Sequence, residues 1–345
     1  MLRSFGSPGF FGAVRYTLAR TAGAAVLAIG SVSGVAPVAA APMDGPAEQA
    51  YAPVTIENCG VTTTYRQAPR RAVSLTQHTT EVMLALGLED RMVGTAYLDD
   101  KILPQYEASY KKVPVLAAQY PSKEILINAQ PDFVYAGFAS AFRADRISTR
   151  EELKQFGADT YLTSAICKDG KMSMEDVYTD ILNIGKIFGI EPRARAYVET
   201  IKQDLEEVTQ SLSTAIASRG SAARVALYDS QTEAPFVAAC CGAAAMAIEA
   251  SGATNLFTDL PGGWSTASWE TFVERDPEVV ILIEAEWSSA REKAQFLLTN
   301  PALSTVKAIR DVRFVVVPFS STSPGIRNST LIRQLAVALY PEIFR

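Results

Sequence analysis

Beyond residue 70 the chain alternates short apolar runs with amphipathic stretches. Ala72-Val73-Ser74-Leu75 has the length and apolar character of a buried strand. Residues 81–86 follow with helical spacing, Thr79 or Thr80 is placed to cap that helix, and Gly87 supplies the left-handed backbone that ends it. Residues 91–95 predict the next strand. A helix over 124–128, a strand over 133–136, a helix over 151–156 and a strand over 159–163 complete the series. Strands separated by helices imply a parallel sheet with helices on its faces.

The same grammar restarts after residue 221. Residues 224–228 repeat the opening strand, and 243–251 the helix behind it. The closest echo is local: the stretch from Glu124 through Pro131 and Asp132 to Tyr135 aligns with that from Glu270 through Pro277 and Glu278 to Ile281. In each copy a glutamate opens a helix, and a proline seven residues on precedes a buried strand. Shared apolar positions between these landmarks point to two copies of one α/β unit. Between the copies, Tyr197, Ile201, Leu205, Val208 and Leu212 recur at steps of three and four, with Pro192 at the helix start. At 1.5 Å per residue, 192–217 spans roughly 39 Å, enough to act as a strut between two lobes. The expected organisation is a first lobe over 54–170, a helical linker over 171–220 and a second lobe over 221–345. The expected fold is α/β: two Rossmann-like lobes with parallel sheets, joined by one long helix, with a ligand cleft between them.

In open parallel sheets, ligands lie beyond the carboxyl ends of the strands. In the first lobe those positions hold His78, Tyr97, Phe138, Ser140, Phe142 and Arg143. In the second they hold Tyr228, Glu284, Trp287, Phe319 and Ser320, with Trp264 and Arg327 in nearby loops. An aromatic set with some cations suits a flat or bulky ligand held by stacking and cation–π contact.

Composition narrows the function classes. His78 is the single histidine, no nucleophile-elbow motif accompanies it, and no phosphate loop or dinucleotide fingerprint is present. Zinc and manganese sites assemble several imidazoles or cysteines at Cys-x-x-Cys spacing, and this chain has neither. The first residues read as an export signal: Arg3, Arg15 and Arg20, then a small-residue apolar run from Ala22 to Val38, with cleavage expected after Ala40. Residues 41–53 would form a flexible mature N-terminus. Losing three arginines leaves 29 basic against 37 acidic residues, a charge of −8. Such a protein is a poor partner for nucleic acid or anionic lipid. No cysteine precedes Cys59, so no lipidation cysteine sits at the expected cleavage point.

Over roughly residues 54–342 the chain resembles the class III periplasmic binding proteins that serve ABC importers for ferric siderophores, cobalamin and haem. The stretches that carry the resemblance include Asn58-Cys59-Gly60, the segment from Arg71 through Thr80-Glu81 to Gly87, Val93-Gly94, Ser122 to Glu124, Gln130-Pro131-Asp132 and Trp264 to Glu270. The resemblance implies a periplasmic monomer that is not an enzyme and has no cofactor. It also implies docking on a permease dimer through one surface glutamate per lobe, and Glu124 and Glu270 occupy those positions. These are the equivalent residues of the duplication, as a two-fold symmetric permease requires. Trp264 matches a family tryptophan that faces the ligand, whereas Ala118 stands where the cobalamin binders carry another, which counts against cobalamin. A ferric siderophore is the expected ligand. Haem, with His78 or Tyr97 as axial ligand, and a corrinoid are the alternatives. Cys59 and Cys167 flank the first lobe and are expected to bridge in an oxidising compartment. Cys240 and Cys241 are adjacent, and free thiols or a vicinal disulfide are both open. A thiol redox enzyme built on that pair is the alternative of a different class.

Overall fold

The structure, a computed structural model, describes residues 51–344. The expected export signal over 1–40 and most of the segment over 41–53 lie outside the described residues. The chain opens with an antiparallel hairpin that sequence analysis did not anticipate, β1 (Val54–Asn58) and β2 (Val61–Tyr65). Its two loop residues, Cys59 and Gly60, both have positive φ, the backbone that lets two-residue hairpins follow strand twist. The turn is tied to Cys167 by a disulfide, and Asn58 exchanges two side-chain hydrogen bonds with the backbone of Leu162. The expected bridge is therefore present, pinning the hairpin to the end of the first sheet.

The first sheet contains β3 (Ala72–Leu75), β4 (Met92–Ala96), β5 (Val115–Ala117), β6 (Phe133–Ala136) and β7 (Asp159–Leu162) in the order β5-β4-β3-β6-β7, all parallel. The second contains β8 (Ala223–Ser230), β9 (Phe236–Ala238), β10 (Ala253–Asn255), β11 (Trp264–Thr266), β12 (Val279–Glu284) and β13 (Phe314–Pro318). Its order is β11-β9-β8-β12-β13, with β10 also parallel to β8. Here the expectation of a parallel sheet needs correction, because β9 runs antiparallel to both of its neighbours, β8 and β11. The reason is local: only a short turn separates β8 from β9, so the chain folds back as a hairpin instead of crossing over through a helix.

The duplication survives in three dimensions. Ser122 caps the helix Lys123–Asn128 by accepting from the Ile125 amide, and Ser268 caps the helix Trp269–Arg275 by accepting from Thr271. Each helix leads into the strand beside its lobe's opening strand, β6 next to β3 and β12 next to β8. The strut is the 29-residue helix Glu191–Arg219, closed by Gly220 at φ 80°. Its first half, through Ala194, Val198 and Ile201, packs into the first-lobe core, and its second half, through Val208 and Leu212, into the second-lobe core. One rigid element thus contributes to both cores, which opposes large hinge motion.

One helix boundary departs from expectation. The helix after β3 starts at Gln77, not Glu81, so Thr79 and Thr80 lie within its first turn rather than capping it. Both hydroxyls donate back to the Thr76 carbonyl, at 3.1 and 2.8 Å. Five successive polar residues, Gln77 to Glu81, are buried, a pattern that reads as a loop unless another part of the chain covers them. The second lobe does so.

Candidate functional site

Two strand ends in the first lobe carry unusual backbone. Thr76 after β3 and Tyr97 after β4 have φ of 106° and 60°. For a β-branched residue such a φ costs on the order of 1–3 kcal/mol and persists only where surroundings enforce it. Thr76 is held by its amide bond to Ala96 O at 2.9 Å. The tight turn sends the next helix, and His78 on it, directly against the second lobe. His78 is accommodated by two glycines: a methyl at Gly137 would lie 2.2 Å from Nε2, and one at Gly325 would lie 2.9 Å from the histidine Cβ.

His78 is therefore packing, not surface. It is 4% exposed, its ring meets Phe138 edge-on at 5.2 Å, and Nε2 has no hydrogen-bond partner among the described residues. Loss of solvation pushes it down to about 4, with the Gly137 backbone opposing. The unfolded chain, titrating near 6.5, takes up this proton first as pH falls. Stability present above pH 6.5 is thus lost between 6.5 and 4, by about 3 kcal/mol. Asp180 and Asp99, both raised to about 6 by burial, act with the opposite sign in an overlapping window. They cancel when wild type is compared with His78→Gln. Denaturant titrations at pH 7 and 4.5 should show wild type losing about 2–2.5 kcal/mol of its advantage over that variant. An unchanged difference would place a charged or solvated His78 in the folded protein.

Beside His78 the lobes are joined by a buried ion pair. Arg327 donates through Nε and Nη2 to the two Glu81 oxygens at 2.7 and 2.6 Å, and through Nη2 to the Lys101 carbonyl at 2.6 Å. Its Nη1 reaches Ser320 Oγ at 2.7 Å and Asp100 Oδ2 at 3.3 Å, while Ser320 donates to Asp100 at 2.7 Å. The arginine side chain is 8% exposed and Glu81 is fully buried. Arg327 and Ser320, expected in the ligand cleft, instead close one side of it.

On the other side the lobes leave a cavity of about 570 Å³, a size usual for small-molecule sites. Phe138, Ala165, Ile166 and Lys168 line it from the first lobe, Met172 from the crossing segment, and Asp229, Phe236, Cys241, Trp264, Phe319 and Thr322 from the second. Trp264 stacks on Phe236 with ring centroids 5.9 Å apart. Of the sequence candidates, the structure brings Phe138, Trp264 and Phe319 together on this wall. Trp287, 58% exposed, meets Phe319 edge-on at 5.0 Å but does not itself line the cavity.

The remaining candidates do not line the cavity. Tyr228 is in the second-lobe core, 1% exposed, with its hydroxyl donating to Gln231 O. Phe142 packs against the first-lobe core with the Arg150 guanidinium over its ring. Arg143 makes a bidentate pair with Asp145 at the surface. Tyr97 packs edge-on against Tyr120, whose hydroxyl meets Ser140 Oγ at 3.1 Å. Glu284 accepts from the Ala290 amide at the start of the next helix. An aromatic just after a strand is placed equally well to seal its own lobe, and spacing alone does not separate the two. Sequence analysis missed Phe236, because the hairpin that carries it was not foreseen, and Cys241 as a wall residue.

The electrostatics of the wall are set by acids. Among the described residues no arginine lines the cavity; Lys168 is paired with Asp176 at 2.8 Å, and Asp169 and Asp229 are on the wall. Glu124 and Glu270 are both exposed, on opposite lobes, at the first turns of their helices. Both carboxyls are held below the usual range, Glu124 first by the Ser122 hydroxyl and Glu270 first by its own backbone amide.

Comparison with known proteins agrees with this architecture. The chain is 27% identical over 296 residues to an uncharacterized ABC transporter substrate-binding lipoprotein of Bacillus subtilis, covering 85% of this chain and 87% of that one. A periplasmic binding protein from Veillonella parvula superposes with a TM-score of 0.75 at 27% identity, over 84% of this chain and 98% of that one. An ABC-type Fe3+-hydroxamate transport protein from Saccharomonospora viridis superposes with a TM-score of 0.68 over 83% and 98%; at 22% identity this likeness concerns the fold. A sequence profile described as periplasmic binding protein matches residues 73–320. With two duplicated α/β lobes, one long connecting helix and a cavity between the lobes, the chain belongs to the periplasmic binding protein family, in its class III, whose members serve ABC importers.

Proposed function

We propose that this protein carries a ferric siderophore through the periplasm to the permease of an ABC importer. The observation that carries the reading is the cavity wall: Phe138, Trp264 and Phe319 converge on it from both lobes, and no arginine lines it among the described residues. Aromatic faces bind the apolar surface of a metal chelate, and a wall bearing Asp169 and Asp229 repels a strongly anionic one. A ferric hydroxamate, neutral or cationic, therefore fits better than a ferric catecholate. Haem is less favoured, because His78 and Tyr97, the side chains suited to hold its iron, lie off the wall. Export by cleavage after Ala40 completes the proposal.

The test is a tryptophan-fluorescence titration of the mature protein with ferrioxamine B, a ferric catecholate, haemin and cobalamin. Ferrioxamine B should bind one to one with strong quenching. Trp264→Ala should weaken that binding by about 1–3 kcal/mol, the range for a stacked aromatic anchor. Tight binding of haemin alone, or wild-type affinity in Trp264→Ala, would overturn the assignment.

A further inference from the structure

Cys240 and Cys241 are bonded to each other, and Cys241 lies on the cavity wall. They occupy the turn between β9 and the helix Ala243–Ala250, and three segments meet there. The amides of Ala239, Cys240 and Cys241 donate to Gly263 O, Leu260 O and Gly262 O at 3.0, 3.3 and 3.2 Å, fastening the loop that leads into Trp264. The Cys241 carbonyl accepts from Met172 at 3.2 Å, fastening the segment that crosses from the first lobe. Gly242 and Gly263 touch backbone to backbone, since a methyl at Gly242 would lie 3.1 Å from the Gly263 Cα.

Side chains do little to hold this junction. Gly170, Gly242, Gly262 and Gly263 all line the cavity there, and glycine backbones are the most costly to order. A covalent ring through Cys240 and Cys241 removes rotation at the one point from which the amides aim at 260–263 and the carbonyl aims at Met172. It also presents polarizable sulfur, a soft apolar surface, to whatever fills the cavity. Both cysteines are partly exposed, so a reductant can reach them.

We propose that the Cys240–Cys241 disulfide is a ligand-binding element of the cavity and the point at which its affinity responds to redox conditions. Oxidised, it holds the Trp264 loop and Met172 against the ligand. A dithiol reductant opens it by thiol–disulfide exchange: one reductant thiolate attacks a sulfur, the second closes the reductant to its own disulfide, and the protein gains two electrons and two protons as two thiols. The freed turn then releases the Trp264 loop, and the ligand is held less tightly. This rests on the siderophore reading only for the choice of probe.

The experiment compares wild type with Cys240→Ser/Cys241→Ser, each before and after treatment with a dithiol, the Cys59–Cys167 bridge being present in both. Ferrioxamine B binding is read by fluorescence, and backbone hydrogen exchange of peptides covering 170–173, 239–242 and 260–264 is read without ligand. Oxidised wild type should bind at least about ten-fold tighter than the double variant. Reduction should bring wild type to the variant's affinity and leave the variant unchanged, and exchange in all three peptides should quicken only in wild type. Equal affinities with exchange unaltered by reduction overturn the proposal. If oxidised wild type binds no chelate, the siderophore reading fails by itself. The exchange arm then decides alone: faster exchange upholds the role of the pair, and unaltered exchange refutes it.

Discussion

Charge reversal at both Glu124 and Glu270 is expected to abolish uptake while leaving ligand affinity at its wild-type value. Both carboxylates are exposed, ionised and fixed at helix first turns by serine caps and backbone amides. Neither lines the cavity between the lobes, so their removal does not touch bound ligand. The residue after Glu124, Ile125, is 42% exposed, and Lys123 on the same helix lies over the ring of Phe156, which is 55% exposed. A partner that covers this surface excludes water and strengthens a charge pair made there. Each single Glu→Arg variant should lose uptake, or stimulation of the importer's ATPase, on the order of ten-fold, and the double variant should fall to background. Normal transport by the double variant, or loss of ligand affinity in both singles, would sink the docking role.

Removing the Arg327 guanidinium should be the most destabilising single change in the interface between the lobes. Arg327→Ala leaves Glu81 buried with an unpaired charge, which costs about 3–5 kcal/mol. The Asp100 and Ser320 bonds are lost with it. Replacing both Glu81 and Arg327 by leucine should recover much of that loss, because an apolar pair of similar volume carries no desolvation penalty. Urea unfolding of the three proteins measures both effects. A loss below about 1 kcal/mol in Arg327→Ala would show that water reaches Glu81 in the folded protein. The pair also explains why this arginine is not free to meet a ligand, since all three guanidinium nitrogens are already bonded.

Much of the fold was legible because its signals are short-range. Strands such as Phe133–Ala136 and Asp159–Leu162 are apolar runs bounded by turn residues, and the long helix shows its period from Tyr197 to Leu212. The paired glutamates were legible for the same reason, since the duplication preserves a cap, a helix and a proline at matching offsets. The β1–β2 hairpin was missed although its strands are rich in threonine and alternate exposed with buried positions, the ordinary signal of a half-buried strand. The reversed β9 and its neighbour β11 escaped because three-residue strands carry almost no periodic signal.

The site was only partly legible. Phe138 and Phe319 line the cavity as their positions after strands suggested, and Trp264, expected in a loop, lines it from the first residue of β11; Tyr228 and Phe142, also expected at strand ends, seal their own lobes. Arg327 and Glu81 lie 246 residues apart, and Cys241 reaches the cavity only where its loop crosses those of Trp264 and Met172. Local periodicity and capping determined the elements, their order and the two-lobe plan, because backbone hydrogen bonds and amphipathic faces are satisfied between near neighbours. Which polar side chains pair across the lobes, and which aromatics remain open to a ligand, was decided by tertiary structure alone. Burying a charge is tolerable only opposite a specific partner, and that partner is supplied by the other half of the chain.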